Sequence, residues 1–231
     1  MSTYPAALYL EKGHLFEGVG FGAKLSKGGE AVFNTGLSGY QEIYTDPSYL
    51  HQIVVMGCVQ IGNTGINAQD MESKGVHLSG IVVREYCSQP SSWRATSSLG
   101  DFLEAAKVPG IHEVDTREIT QILRDEGAQS AILFPTSELP NTSSEFLKGH
   151  GRKLLEKVPP MEGLDLVSKA SCATPYEYTE VGWKKDSGTV VVYDYGVKLN
   201  ILRHFGMRDF KVQVVPYHMP AEEVLAPSLI V

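Results

Sequence analysis

Covalent catalysis by a cysteine needs a thiol on a strained strand-to-helix turn, small residues around it, and a histidine to raise its thiolate fraction. The chain offers Cys58, Cys87 and Cys172 for that role. None has that setting. Cys172, in Ser171-Cys172-Ala173, comes nearest, and a buried or merely exposed thiol is the alternative reading. Three cysteines at wide spacing describe neither a disulfide framework nor a zinc ribbon. Zinc or iron would need His, Cys or acidic pairs at short spacing, but His14, His51, His77, His112, His150, His204 and His218 are scattered singly. Gly18-Val19-Gly20-Phe21-Gly22-Ala23 matches a dinucleotide fingerprint and follows a strand pattern. Its phosphate site would be the start of a long helix, and Gly28-Gly29 leaves no room for one, so a glycine-containing strand is expected.

The densest polar constellation runs from Gly36 to Tyr49, with hydroxyls and carboxylates among turn formers between two strand patterns. Such loops on a rigid sheet are common ligand contacts. Asp46-Pro47-Ser48 is equally an ordinary turn, Asp capping and Pro fixing its own backbone angle. Ile61 to Asn67 is a second loop with the same two readings.

The elements that must position these loops begin β-rich. Ala6 to Leu10 and Leu15 to Gly22 flank a Gly13 turn, and Ala31 to Thr35, Gln52 to Met56 and Val76 to Arg84 read as further strands with no competing helical period. After Trp93, Leu99, Phe102, Leu103 and Ala106 mark a helix capped by Ser98. A second helix starts at an Asp115/Glu118 capping box and stops at Gly127, and Ala128 to Phe134 returns as a strand. Proline-rich Pro135 to Ser187 shows no long period and is the expected domain boundary. From Gly188 the grammar is parallel α/β: strand Val190 to Asp194, helix Lys198 to Met207, strand Lys211 to Pro216, helix Ala221 to Leu225 and apolar Leu229 to Val231. Those 44 or so residues are too few for a finished parallel sheet, so residues 188–231 read as the opening of a larger domain.

Composition narrows the function classes. With 20 Lys+Arg against 27 Asp+Glu the net charge is −7, without the basic stripe that nucleic-acid binding requires. The apolar runs are too short to span a membrane and the N-terminus does not resemble a signal peptide, so a cytoplasmic setting is expected.

The motifs form one series: G-E-x-V-F-N-T at 29–35, G-Y-Q-E-I-x-T-D-P-S-Y at 39–49, I-G-N-T-G-x-N at 61–67, G-I-V-V-R-E at 80–85, S-W-R at 92–94, D-T-R-x-I-T-x-x-L-R-x-x-G-A at 115–128 and V-V-Y-D-Y-G-V-K-x-N-I-L-R at 191–203. The series resembles the small, glutamine-hydrolysing subunit of carbamoyl-phosphate synthase, from about residue 6 to the last. Gly57-Cys58-Val59-Gln60 and Ser92 depart from the usual pattern.

The resemblance implies an α/β chain with a β-rich N-terminal domain of the swivelling β/β/α type over residues 1–146. A linker and lead-in would fill 147–187, and the first strands and helices of an incomplete class I glutamine amidotransferase domain 188–231. In that family a cysteine nucleophile, a histidine base and its orienting glutamate hydrolyse glutamine through a thioester. By the resemblance these lie beyond Val231, so the chain alone is expected to be inactive. The one glutamine-contacting position that carries over is Ser48, whose hydroxyl would bind the substrate's amino-acid end. Ammonia would pass to a large subunit that uses ATP and Mg to make carbamoyl phosphate from bicarbonate, for pyrimidine or arginine synthesis. No cofactor is expected in this chain. If Val231 is the true terminus, the alternative is a non-catalytic docking module for the large subunit.

Overall fold

The computed structural model describes residues 3–181 and 187–225. Two compact units separate, Met1–Thr45 with Tyr49–Leu164 and Asp46–Ser48 with Asp165–Val231.

The first unit is built on seven strands: β1 (Tyr4–Leu10), β2 (Leu15–Gly22), β3 (Lys27–Asn34), β4 (Gln52–Met56), β6 (Gly80–Val82), β8 (Pro109–His112) and β9 (Gln129–Pro135). They close into a barrel in the order β1-β2-β8-β6-β4-β3-β9, with β9 returning to β1. A short pair outside it joins β5 (Gln60–Ile61) to β7 (Glu85–Tyr86). Gly13, at φ 98°, turns the β1/β2 hairpin. β3, β4, β6 and β8 run parallel, and parallel neighbours need crossovers. Two of those crossovers carry α1 (Tyr40–Thr45) and α2 (Leu99–Ala105).

Both faces of the central strands are buried. Ala6, Leu8 and Leu10 of β1 point into the barrel with Ile53, Val55, Ala131 and Leu133, while Ala7 and Tyr9 lie outside with Ile132, Phe134 and Leu147. That is why β1 reads as a continuous apolar run rather than an alternation. α3 (Thr116–Glu126) sends Ile119 and Leu123 into the barrel cluster, and α4 (Ser144–Leu155) covers β1 and β9. Fully burying each of these aliphatic side chains contributes about 1.5 to 3 kcal/mol.

The predicted caps are present. The Ser98 hydroxyl accepts from Asp101 N–H, and the Asp115 carboxylate accepts from Arg117 and Glu118 N–H. Gly127 ends α3 at φ 89°.

Three expectations need correction. Val76 to Arg84 is not one strand, because only Gly80–Val82 pairs before the chain turns away to β7. Residues 40–45 are helical although no apolar period announces it, since two of the four buried side chains, Gln41 and Thr45, are polar. A helix also runs through the boundary expected at 146: α4 buries Leu147 and Gly151, and the latter's missing side chain admits the Tyr9 side chain, whose ring begins 2.8 Å from where a Cβ would sit.

The second unit holds a three-stranded sheet in the order β10 (Tyr176–Tyr178), β12 (Lys211–Pro216), β11 (Thr189–Asp194). β11 and β12 are parallel and joined by α6 (Leu199–Gly206), which buries Leu202 against Val212 and Val214. The antiparallel β10 and the short α5 (Val167–Ala170) are not announced by the sequence, whereas α7 (Ala221–Val224) is. The expected strand at Leu229 to Val231 lies outside the described residues.

Candidate functional site

The loops singled out in the sequence meet in the first unit. α1 sits beside the 61–72 segment, and its side chains are consumed in holding it there. The Gln41 side chain donates to the Asn67 carbonyl and accepts from Asn67 N–H (3.0 Å), Tyr40 Oη donates to Gly65 O (2.7 Å), and Thr45 Oγ1 accepts from Glu72 N–H (2.9 Å). The Asn67 side chain in turn donates to Asp70 (2.7 Å) and, through its oxygen, accepts from Gln69 and Asp70 N–H. The Arg94 guanidinium closes the network by donating to Asp70 and to Asn67 Oδ1 (3.2 Å). A small cavity of about 130 Å³ remains between Glu42, Asp70, Ser92 and Arg94. Burial is the main effect raising the Glu42 carboxyl above its ordinary value, and the Asp70 and Glu72 carboxylates add to it. Nearly every polar group here is already matched, which is what a fold-fixing network requires.

Gly18 to Gly22 are β-strand, as expected, and Ala23 follows the strand's end. A Cβ on Gly18 would lie 2.4 Å from His112 O and one on Gly20 2.2 Å from the Tyr4 ring. The glycines therefore serve close packing of β8 and of Tyr4, whose hydroxyl donates to Ala23 O at 2.7 Å.

The tripeptide Asp46–Ser48 belongs to the second unit. Asp46 is buried, accepts from Ser48 N–H (2.9 Å) and lies 2.9 Å from Lys198 Nζ, while Pro47 packs 3.1 Å from the Cβ position of Gly196. This places it beside the turn that follows β11. In parallel sheets the carboxyl ends of strands are where ligands sit. The buried Asp194 at that end accepts from Cys172, Gly196 and Val197 N–H at 2.7, 3.0 and 3.0 Å, tying the 171–173 loop to the turn. Gly196 itself stands at φ 95°. Sequence reasoning missed Asp194; its signal is the Asp-x-Gly spacing of an Asx turn. Ser48 is exposed, and its hydroxyl makes no hydrogen bond among the described residues.

The cysteines are not on strand-to-helix elbows. Cys58 follows β4, Cys87 follows β7 and Cys172 follows α5. Among the described residues no cluster of three or more His, Cys, Asp or Glu side chains could hold a metal, and no helix is long and apolar enough to cross a membrane.

Residues 8–133, which span the barrel from β1 into β9, match the family model described as carbamoyl-phosphate synthase small chain, CPSase domain. Proteins named carbamoyl phosphate synthase small chain from Halomonas eurihalina and Syntrophotalea carbinolica are each 42% identical to it over 96% of the chain. One from Neisseria meningitidis serogroup B is 41% identical over 98%. The chain spans about 60% of the length of these curated relatives. Barrel and motifs together make this chain a member of the carbamoyl-phosphate synthase small-chain family.

Proposed function

We propose that the chain works in glutamine-dependent carbamoyl phosphate synthesis, as the part of a small chain that contributes to the glutamine site and joins a large synthetase chain. In the complete assembly glutamine is hydrolysed at a cysteine thioester, and the ammonia passes inside to the large chain. That partner supplies the ATP- and Mg-dependent steps that make carbamoyl phosphate from bicarbonate, in the cytoplasm. The first unit would be the swivelling β/β/α domain and the second the lead-in to the class I amidotransferase domain.

One observation carries the reading. Asp46 is fixed by Lys198 and by the Ser48 amide, so the Ser48 hydroxyl is held exposed and unspent at the β11 end of the parallel unit. A hydroxyl in that state can accept from an ammonium or donate to a carboxylate, the two groups at the amino-acid end of glutamine.

Cys58, Cys87 and Cys172 all lie off strand-to-helix elbows, which supports a second reading beside it, in which the described residues serve as a docking module for the large chain and supply no nucleophile. Ammonia release from glutamine tests both. The chain alone should stay at the buffer blank, and turnover abolished by Cys172→Ser would overturn the family mechanism. In a small chain containing the whole amidotransferase domain, Ser48→Ala should weaken glutamine use about tenfold to a hundredfold, the loss of a hydrogen bond to a charged group. Synthesis from free ammonia should be unchanged, and an unaltered KM and kcat with glutamine would sink the Ser48 role.

A further inference from the structure

A groove of about 530 Å³ runs along the outer face of α3. Ile119 and Leu123 are buried in the barrel cluster, which fixes the helix rotation and turns Arg117, Gln121 and Arg124 toward this groove. Arg84, beyond β6, completes it, and the exposed Val59 gives one apolar wall. Three guanidinium groups thus line it against one carboxylate, Asp115, which is already accepting from two helix amides. Arg84 donates one Nη to Val114 O (3.2 Å), which steadies the guanidinium and leaves its other donors available. Arg124 is engaged with Asp125, while the Arg117 guanidinium has no partner among the described residues.

This is a reversal of sign in a chain of net charge −7. Planar guanidinium forks match carboxylates two bonds at a time, and Val59 suits the methylenes of an acidic side chain. A second copy of so acidic a chain would be opposed by its own net charge. We propose that this groove is a docking site for a carboxylate-bearing segment of a protein partner. On the reading given above, on which this inference rests, that partner is the large synthetase chain.

The experiment measures binding of this chain to the purified large chain by calorimetry, for wild type, Arg117→Glu, Arg117→Gln and the charge-matched control Lys148→Glu on exposed α4. Arg117→Glu should weaken Kd about tenfold or more, Arg117→Gln less, and Lys148→Glu hardly at all, with a shallower salt dependence in the groove variants. Arg117 lies in the first turn of α3, where a carboxylate is favoured by the helix dipole, so unchanged thermal unfolding is expected in the variants. If wild type binds and Arg117→Glu binds equally well, or no worse than Lys148→Glu, the groove assignment falls while the family reading stands. If wild type does not bind the large chain at all, the partner reading falls and takes the groove's occupant with it. Self-association abolished by Arg117→Glu, or tight uptake of inorganic phosphate at constant ionic strength, would also overturn the proposal.

Discussion

Replacing Tyr44 by phenylalanine should stabilise the barrel unit, and replacing Tyr40 by phenylalanine should destabilise it. The two tyrosines share α1 and their ring centroids lie 5.8 Å apart. Their hydroxyls differ. Tyr40 Oη donates to Gly65 O at 2.7 Å, whereas Tyr44 Oη is buried with no hydrogen-bond partner among the described residues. Burial drives the Tyr44 phenol well above its ordinary pKa, as expected for a polar group in the cluster with Val54, Met56 and Leu99. An unpaired buried polar group costs about 1 to 3 kcal/mol, and removing it leaves a gap of one heavy atom that takes back ~0.5 to 1 kcal/mol of packing. The net for Tyr44→Phe is a gain of about 1 kcal/mol. Tyr40→Phe strands the Gly65 carbonyl, for a loss of about 1 to 3 kcal/mol. Urea unfolding followed by circular dichroism reads both, the first as a midpoint raised by roughly 0.3 to 0.5 M at an m-value of about 2 to 3 kcal/mol/M. A loss in Tyr44→Phe as large as that in Tyr40→Phe would show instead that the Tyr44 hydroxyl is satisfied in the fold.

Three further outcomes are expected. Gly18→Ala should cost at least about 1 to 3 kcal/mol by overpacking, because its Cβ would meet backbone oxygen at His112 rather than a movable side chain; a near-neutral urea midpoint would contradict this. Arg94→Ala should raise amide exchange across the 61–72 segment more than in β1, since it removes the donor to Asp70 and Asn67; uniform exchange would deny the network that role. His112, half-buried against Phe21 and Tyr86, has its imidazole pKa lowered chiefly by burial, with Glu113 opposing. Burial thus disfavours its charged form, so its contribution is whole above the unfolded value of 6.5 and is lost as pH falls below it. His112→Gln should flatten the decline of the urea midpoint as pH falls below 6.5, and an unchanged slope would count against it.

Where apolar residues alone carry an element, the sequence is legible. β1, β2, β4, α2, α3 and the β11-α6-β12 unit all lie where period and caps put them, because Ser98, Asp115 and Gly127 mark ends by local hydrogen bonding and backbone angle. α1 is not legible because its anchoring is polar and non-local: Gln41 pairs with Asn67, 26 residues on. α4 hides because one of its two buried positions is a glycine whose partner is a ring on β1. The 76–84 run looks like a long strand since hydrophobicity reports burial, and Leu78 is buried outside the paired segment Gly80–Val82. Site residues divide the same way. Motif order identifies the family, but which motif groups are spent on the fold depends on contacts that no spacing rule reveals.

That division bears on what the motifs are for. The run 39–49 carries hydroxyls, an amide and carboxylates close together, and it splits between Thr45 and Asp46 into the two units. Before the split, the Tyr40 hydroxyl, both ends of the Gln41 amide and the Thr45 hydroxyl are paired to backbone between residues 65 and 72. A group so engaged cannot bind a ligand without first leaving its partner unsatisfied, at a cost of about 1 to 3 kcal/mol. Past the split, Asp46 is paired with Lys198 but the Ser48 hydroxyl is not spent. Recognition of a small polar ligand draws on groups that are positioned yet uncommitted. In this run that condition is met by Ser48 and not by Gln41 or Thr45, so the same motif that fixes the helix before Asp46 leaves, after it, the one hydroxyl of the run that the proposed function calls on.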